Sequence, residues 1–508
     1  MTKGPFMRTF IKILVSVVAA LLLVSTISVV VLTKLVNPND YKDRIDHYVY
    51  NQTGRHLMLK GNVGWSFIPW LGVDLKQVEL SNPVGFQGEN LANIGEIKIK
   101  VRFWPLLMGR VELDKITLDK ATINLIKNKN GKDNWAQWSH SAVTKNNSKN
   151  TADNNKKMTD PVTELKIAGI NVCNTTINLI NQKSSSTTSL KKINLTTGPI
   201  GNAVNFPVSM QFTLASNQSK NTFNATLTAD ADLNFQQSNY RLSNIKFNGT
   251  LLRPTLPPVP VNIVTNLTAN LNQQNISISP LNSKLTNMQL NGKIEINQLQ
   301  TTPRLSIKLG TANTDLKELL TTLRGTSPLT GQLSFDTVLT TSGNSKEDFL
   351  SHLNGSGKFA VQNGTILGIN INEFLAQANA LLTHRSAPRL KNSKTTAFSN
   401  LTGTYLVKNG ILNNNDLKMN AAPITAKGLG AINLVNNRIN YTLTAAYTKS
   451  GAPPQFEVPI LIHGTVNSPT IRPDFSALAS KILTNEIEKK VKQYTGGIKK
   501  LNLNNFFH

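Results

Sequence analysis

The chain is poor in cysteine, acidic residues, aromatic residues and long apolar runs. It has one cysteine among 508 residues, Cys173, so no disulfide can form within the chain. Aromatic residues make up 6% of the sequence, and 28 acidic residues stand against 54 basic ones, a net charge of +26. Burial and backbone hydrogen bonds must therefore hold the fold together. Cys173 follows Ile170 and Val172 in a strand-like stretch, which predicts a small buried residue without a further role.

The excess of basic residues has no pattern typical of nucleic-acid binding. Lys and Arg are scattered between predicted strands, without a basic helix or a cluster of Arg and aromatic residues. We therefore expect no nucleic-acid partner. We interpret the basic residues as side chains on solvent-exposed faces of strands. A second interpretation is attraction to anionic lipid surfaces, which contributes ~1 kcal/mol per well-placed cation.

Recognisable catalytic groups are also missing from the sequence. The seven histidines stand apart, no cysteine cluster accompanies them, and scattered acids nominate no carboxylate pair. Neither a phosphate-binding loop nor a nucleophile elbow is present, and Gly355-Ser356-Gly357 has the wrong spacing for the latter. We therefore expect no enzyme activity, no metal and no cofactor.

The single long apolar run covers residues 13–33, with Ile13, Leu22 and Val31 along it. Twenty-one residues without charge, Pro or Gly match a helix crossing a hydrocarbon core of about 30 Å. Basic residues without acids precede the run, so the N-terminus is predicted to be cytoplasmic and the rest exported. A cleaved signal peptide is the competing interpretation, but the run is too long and lacks a small-x-small site.

The rest of the chain has the short alternating runs of a mainly β protein. The clearest alternation places apolar residues at every second position from 223 to 235. We predict that one face of this strand carries Phe223, Ala225, Leu227, Ala229, Ala231, Leu233 and Phe235. A single strand of that length would reach about 43 Å, so either a long curved strand or an undetected bend is expected.

Several further elements follow from local signals. Residues 38–50 and 315–323 predict helices, capped by Asn39 or Asp40 and by Thr314 or Asp315 respectively. Asp119-Lys120 predicts a turn between strands, and the proline-rich residues 253–260 predict a loop or an edge crossing.

Near the C-terminus the sequence echoes itself at a distance of forty-six residues. Gly357, Phe359, Val361 and Asn363-Gly364 correspond to Gly403, Tyr405, Val407 and Asn409-Gly410. Asn-Gly between alternating runs predicts two related hairpins, separated by a helix over 371–382. A third hairpin is expected to turn at Asn436-Asn437, and residues 475–494 predict a basic amphipathic helix.

These signals divide the chain into seven parts. They are a cytoplasmic tail (1–12), a transmembrane helix (13–36), an N-terminal β region (37–140), a flexible linker or an insertion from one turn of a continuous sheet (141–158), a middle β region (159–350), a C-terminal β region (351–475) and an amphipathic basic tail (476–508).

Short motifs at both ends of the chain are similar to those of the AsmA family. At the N-terminal end they are Trp65 to Pro69 with Leu71-Gly72, Asn82 to Phe86, Trp104 to Val111, and Asn128 to Asn134 with Trp135. At the C-terminal end they are Asn363-Gly364, Asn409-Gly410, Asp416-Leu417 and Pro459 to Phe475. The middle of the chain resembles the family only in its alternating pattern.

The resemblance implies an inner-membrane anchor, a periplasmic body and a role in outer-membrane assembly or lipid homeostasis. It also implies an elongated, curled antiparallel sheet that forms a groove, as in chorein-like bridge proteins. We then expect residues 223–235 to line the groove and phospholipid to be the partner. The alternatives are a sandwich core for the same residues, and a scaffold that binds outer-membrane proteins through sheet edges.

Overall fold

The computed structural model describes residues 37–66, 70–86, 88–102, 105, 112–135, 166–201, 204–386, 394–448, 456–476, 480, 484 and 487. Over these residues the protein is mainly β, as predicted, with a few short helices. The chain forms two compact units, Met1–Thr255 and Leu256–His508, which we call unit 1 and unit 2.

The helices of this part of the chain are short. After a 3-10 turn at Pro38–Tyr41 they are α1 Lys42–Thr53, α2 Leu316–Arg324, α3 Lys346–Ser351 and α4 Ile371–Thr383. Within the described residues, none has the length and apolar character needed to cross a bilayer. The predicted transmembrane helix, with Ile13, Leu22 and Val31, lies outside the described residues, as does the predicted linker at 141–158.

Unit 1 contains twelve described strands. They are β1 Leu57–Leu59, β2 Val63–Ser66, β3 Trp70–Leu80, β4 Ala92–Arg102, β5 Glu112–Leu113, β6 Ile116–Lys127, β7 Lys166–Ile167, β8 Ile170–Asn181, β9 Ser186–Thr197, β10 Asn205–Ser216, β11 Ser219–Asn234 and β12 Asn239–Arg253. Strands β1 and β2 both pair with β3, and the sheet continues through β4, β6, β8, β9, β10 and β11 to β12.

The described strands pair antiparallel, as predicted, except at one place in unit 1. Strands β6 and β8 pair in parallel, from Ile116 opposite Ile170 to Lys127 opposite Asn181, and β5 pairs in parallel with β7. A parallel pair needs a long crossover instead of a hairpin, and residues 128–165 provide that length. The strands on either side of the predicted linker thus belong to one sheet.

The predicted turn at Asp119-Lys120 is also wrong. Both residues lie within β6, where Lys120 has a φ of 53°. A left-handed residue is present at the predicted position, but it lies inside a continuous strand whose register with β4 and β8 does not shift.

The N-terminal helix covers one end of the unit 1 sheet. Asn37 caps the 3-10 turn by accepting a hydrogen bond from Asn39 N, so the cap lies two residues before the predicted Asn39. Ile45 of α1 packs on a cluster formed by Leu59, Val63 and Val78.

A buried asparagine joins the segments next to this helix. Asn134 is fully buried; its Oδ1 accepts from Ile126 N at 2.8 Å, and its Nδ2 donates to Asn82 Oδ1 and to Asn124 O, both at 2.8 Å. Its carbonyl accepts from Nη2 of the buried Arg55 at 2.8 Å, and burial lowers the pKa of this arginine. Two of the short sequence motifs, at 82–86 and 128–135, therefore meet at one polar junction.

Unit 2 contains twelve described strands that follow one another as an antiparallel meander. They are β13 Leu256–Asn270, β14 Asn275–Leu285, β15 Met288–Asn297, β16 Arg304–Asp315, β17 Leu329–Ser342, β18 Asn354–Leu367, β19 Thr395–Lys408, β20 Ile411–Ala421, β21 Ile424–Asn433, β22 Arg438–Tyr447, β23 Glu457–Thr465 and β24 Ser468–Pro473. Each strand from β14 onward pairs with the strand before it.

The proline-rich segment is part of this meander, which corrects the predicted loop. Pro257, Pro258 and Pro260 lie in β13 itself. They precede Val261, where the pairing with β14 begins, so the missing N–H groups interrupt no hydrogen bond to β14.

One of the two predicted Asn-Gly hairpins is correct. Asn409-Gly410 connects β19 to β20, whereas Asn363-Gly364 lies within β18 as a bulge, with a φ of 50° at Asn363. The third predicted hairpin is confirmed, with the turn between β21 and β22 and a φ of 56° at Asn437.

Helix α4 closes part of the apolar face of unit 2. Ile371, Leu375 and Ala378 have 0% exposure and pack in a cluster with residues of β18 to β23, among them Val361 and Val458. The helix was predicted from the sequence, as was α2, whose N-cap is Asp315. Of the predicted C-terminal helix only residues 476, 480, 484 and 487 are described, each in a helical conformation.

We predict that Asn134→Ala lowers the free energy of unfolding by about 2–4 kcal/mol, because it leaves buried groups without partners. Urea denaturation of the full-length protein in detergent would measure this. Asn130→Ala, at an exposed position of the same loop, is the control and should stay within about 0.5 kcal/mol of the parent. Equal losses in the two variants would contradict the role of the junction.

Candidate functional site

The seven residues predicted to line a groove share one side of β11, apart from the last. Ala225, Ala229 and Ala231 are buried, and Phe223, Leu227 and Leu233 are half-buried. Phe235 lies just beyond the strand, is 56% exposed and contacts the ring of Tyr240 edge-on. The intervening Asn224, Thr226 and Thr228 are exposed, so the predicted division into an apolar and a polar face describes this strand.

The apolar face of β11 continues across unit 1 through the strand register. One line of directly opposed residues crosses nine strands: Val63, Leu75, Ile97, Leu118, Val172, Leu195, Met210, Leu227 and Phe247. A second line also crosses nine: Leu57, Leu80, Ala92, Ile123, Ile177, Leu190, Leu214, Phe223 and Leu251. At a strand spacing of ~4.8 Å, each line runs for about 40 Å at right angles to the strands.

Left-handed residues keep the two lines on the same face. Gln77, Lys120, Asn174 and Lys192 have φ between 48° and 53° in β3, β6, β8 and β9, and each separates the two apolar positions of its strand. The left-handed conformation restores the facing that an odd spacing would otherwise reverse. Simple alternation therefore missed most members of both lines.

Most residues of the two lines are only half-buried. Apart from Val63 and Ala92, every member retains partial exposure. Helix α1 covers the β1 end of this surface. From β6 to β12, an apolar surface thus remains accessible.

Unit 2 has a comparable line of opposed residues on its apolar face. It crosses ten strands: Leu267, Ile278, Ile294, Ile307, Leu339, Gly355, Val407, Leu412, Ile432 and Ile439. Val407 is buried and the other nine are half-buried, whereas the residues under α4 are sealed. The same face thus contains a closed core and an accessible strip beside it.

The opposite face of each unit is polar. In unit 1 Lys98 Nζ lies 2.7 Å from Glu96 Oε2, and this contact lowers the pKa of Glu96. In unit 2 a cavity of about 1000 Å³ is lined by polar-face residues, among them Lys308, Asp336 and Lys358, and also by Gly357 and Tyr405.

A polar cluster fixes the bulge of β20 in unit 2. Asp416 accepts hydrogen bonds from the backbone N and the hydroxyl of Thr404 and from Asn414 Nδ2, each at 2.8 Å. The hydrogen bond from Thr404 N lowers the pKa of Asp416 below its usual 3.8. Asn414 is buried and accepts from the Tyr441 hydroxyl, whose pKa burial raises to about 12. Tyr441 therefore stays a donor at any physiological pH.

Titratable groups do not converge elsewhere in the described residues. No group of three His, Cys, Asp or Glu side chains is placed to hold a metal ion there. His56 stacks on Tyr50 and lies 3.2 Å from Asp46 at the surface, and His463 lies in β23 opposite Asn440.

The model of the AsmA family matches residues 7–256 and 259–417 of the chain. No curated protein and no solved structure matches it.

We predict that the left-handed positions of the unit 1 strands tolerate Gly but not a β-branched residue. Asn174 is exposed and has a φ of 48°, so Asn174→Val should cost about 1–2 kcal/mol of unfolding free energy through backbone strain alone. Asn174→Gly should stay within about 0.5 kcal/mol of the parent, because Gly adopts this conformation freely. Denaturant unfolding of both variants checks this, and equal stabilities would refute it.

We also predict an acid sensitivity that comes from Asp416. Because its folded pKa is depressed, its contribution to stability is present above the unfolded pKa, about 3.9, and is lost as pH falls through the folded value. Below about pH 4 the unfolding midpoint of the parent should therefore fall more steeply than that of Asp416→Ala. Asp336→Ala, which removes only an exposed ion pair with Lys358, should keep the slope of the parent.

Proposed function

The chain belongs to the AsmA family, and we propose that it holds or transfers phospholipid between the inner and outer membranes, without catalysis. Membership of the family indicates an envelope-related role. The observation that favours lipid as the cargo is the pair of unbroken apolar lines across nine strands of unit 1.

The partial exposure of these lines argues for a ligand surface over a sandwich core. A packed core seals its side chains, as Ile371 and Leu375 are sealed in unit 2. Leu195, Met210 and Leu227 are each half-buried at the centre of the unit 1 sheet. Apolar surface left in this state at the middle of a sheet gains free energy when hydrocarbon covers it.

The expected strength of such binding is adequate for lipid. Each CH₂ group removed from water contributes about 0.8 kcal/mol, so one half-buried acyl chain would gain on the order of 5–10 kcal/mol. No polar contact is needed for this gain, and the head group can remain in water.

We propose that a transmembrane helix at 13–33 anchors the protein in the inner membrane, with the N-terminus cytoplasmic and residues 37–508 periplasmic. The proposal rests on the sequence run and on the basic residues before it. Protease treatment of spheroplasts should degrade residues 37–508, and their protection in intact spheroplasts would refute this orientation.

A scaffold for outer-membrane protein insertion is the alternative function. It would use sheet edges, where an incoming strand could pair. The last strand, β24, has Pro469 and Pro473, which lack the N–H groups that such pairing needs. The apolar face is therefore stronger support for lipid binding than this edge is for a scaffold function.

Photocrosslinking in cells separates the two functions. A photoreactive residue at Leu227 should give lipid adducts, and one at Thr226, the adjacent position on the polar face, should give none. Protein adducts at Leu227 in place of lipid would favour the scaffold, and no adducts at all would oppose both.

We predict that a carboxylate in the middle of the apolar line blocks lipid. Met210 lies directly opposite Leu227, so Met210→Glu should lower lipid adducts at Leu227 by about tenfold, since hydrocarbon would have to desolvate a charge. Gln211→Glu, on the polar face of the same strand, should leave the adducts unchanged. Equal effects from both substitutions would count against an apolar path.

A further inference from the structure

Glycines on the apolar face of unit 2 lie under aromatic rings of the neighbouring strands. Gly357 is directly opposite Tyr405, and Gly403 is directly opposite Phe359. On the next strands Gly430 is directly opposite Tyr441, which also covers Gly428. We call these residues the glycine–aromatic floor.

The rings can lie across the strands only because the glycines have no Cβ. A Cβ built on Gly357 would overlap the Tyr405 ring and come within 2.7 Å of Asp336 O, and one built on Gly428 would come within 3.0 Å of both Leu417 and the Tyr441 ring. On Gly403 it would come within 3.1 Å of the Phe359 ring and 2.8 Å of Asn414 Nδ2. Since carbon atoms need a separation of roughly 3.5–4.0 Å, an alanine would push each ring away from the sheet.

The two halves of the internal sequence echo form much of this floor. Strands β18 and β19 carry the echoed residues and pair antiparallel, so the Gly of each copy faces the aromatic residue of the other. The repeat thus produces two reciprocal contacts from one short pattern. Gly364 and Phe398 make a third such pair, which α4 covers, since Phe398 is 4% exposed.

The floor outside α4 presents aromatic carbon, the Tyr405 hydroxyl and a satisfied polar cluster around Tyr441. Phe359, Tyr405 and Tyr441 are half-buried. The Tyr441 hydroxyl donates to Asn414, and Asn414 Nδ2 donates to Thr404 O at 2.6 Å and to Asp416 Oδ1 at 2.8 Å. These groups need nothing from a ligand. The floor also adjoins Leu339, Val407 and Leu412 of the accessible apolar line.

We infer that the glycine–aromatic floor sets the depth of an acyl-chain subsite in unit 2, with Gly357 and Gly403 as the residues that determine it. The inference rests on the proposed function and locates it within unit 2. The rings outside α4 are half-buried, and a hydrocarbon chain without hydrogen-bonding groups matches their exposed aromatic carbon.

The test uses full-length protein with a photoreactive residue at Leu339, next to Gly355 on the apolar line, or at Leu227 in unit 1. Vesicles of phosphatidylethanolamine and phosphatidylglycerol with radiolabelled acyl chains supply the lipid. Gly357→Ala and Gly403→Ala should each lower lipid adducts at Leu339 by about tenfold and leave those at Leu227 unchanged.

Two further variants separate a displaced ring from misfolding. Gly64→Ala is the matched control, because its Cβ would meet nothing nearer than 3.9 Å, and its adducts should equal those of the parent. Combining Gly403→Ala, whose three nearest neighbours are side-chain atoms, with Phe359→Leu removes the displaced ring and should restore adducts at Leu339.

Three outcomes would each overturn the inference: unchanged adducts at Leu339 in the alanine variants, an equal loss at both probe positions, or no restoration in the double variant. In each case, adducts at Leu227 in the parent would still support the proposed function. Absence of lipid adducts at both positions in the parent would overturn the proposed function and this inference with it.

Discussion

The structure depends on one constraint, that apolar side chains of successive strands stay opposite each other on the same face of the sheet. Strand pairing alone does not ensure this, because a shift of one residue turns every side chain to the other face. In unit 1 the left-handed residues Gln77, Lys120, Asn174 and Lys192 absorb the odd residue in each strand. The apolar lines exist because those four residues accept a strained backbone conformation, and none of the four contributes an apolar side chain to the face itself.

This device explains what could and could not be predicted from the sequence. In β11 the apolar residues keep a strict period of two, so both the strand and its face were visible. In β6 the period breaks at Lys120, and the break resembles a turn, since turns also use the left-handed backbone conformation found here. Asn363-Gly364 misled for the same reason. The parallel pairing of β6 with β8 could not be foreseen, because it joins strands that are distant in sequence and leaves no local signal.

A half-exposed apolar face contributes less to stability than a sealed one, and other features of each unit compensate for this. In unit 1 the buried Asn134 connects four segments through hydrogen bonds of 2.8 Å. In unit 2 the α4 core seals Ile371, Leu375 and Ala378, while Asp416 and Asn414 hold the irregular part of β20 in place. These stabilising contacts lie beside the exposed part of the apolar face, so that part remains available to a ligand.

The parallel pair in unit 1 has a consequence for the order in which the sheet assembles. Hairpins such as β10–β11 join residues close in sequence and form early, but Ile116 must find Ile170 across a loop of more than fifty residues. Closing such a loop lowers the conformational entropy of the chain before stabilising contacts between the two strands form. Non-local pairing of this kind therefore slows folding. During synthesis from N-terminus to C-terminus we therefore expect the strands up to β6 to form a partial sheet with one unpaired edge. We expect the pairing of β8 with that edge to complete the native connectivity of unit 1.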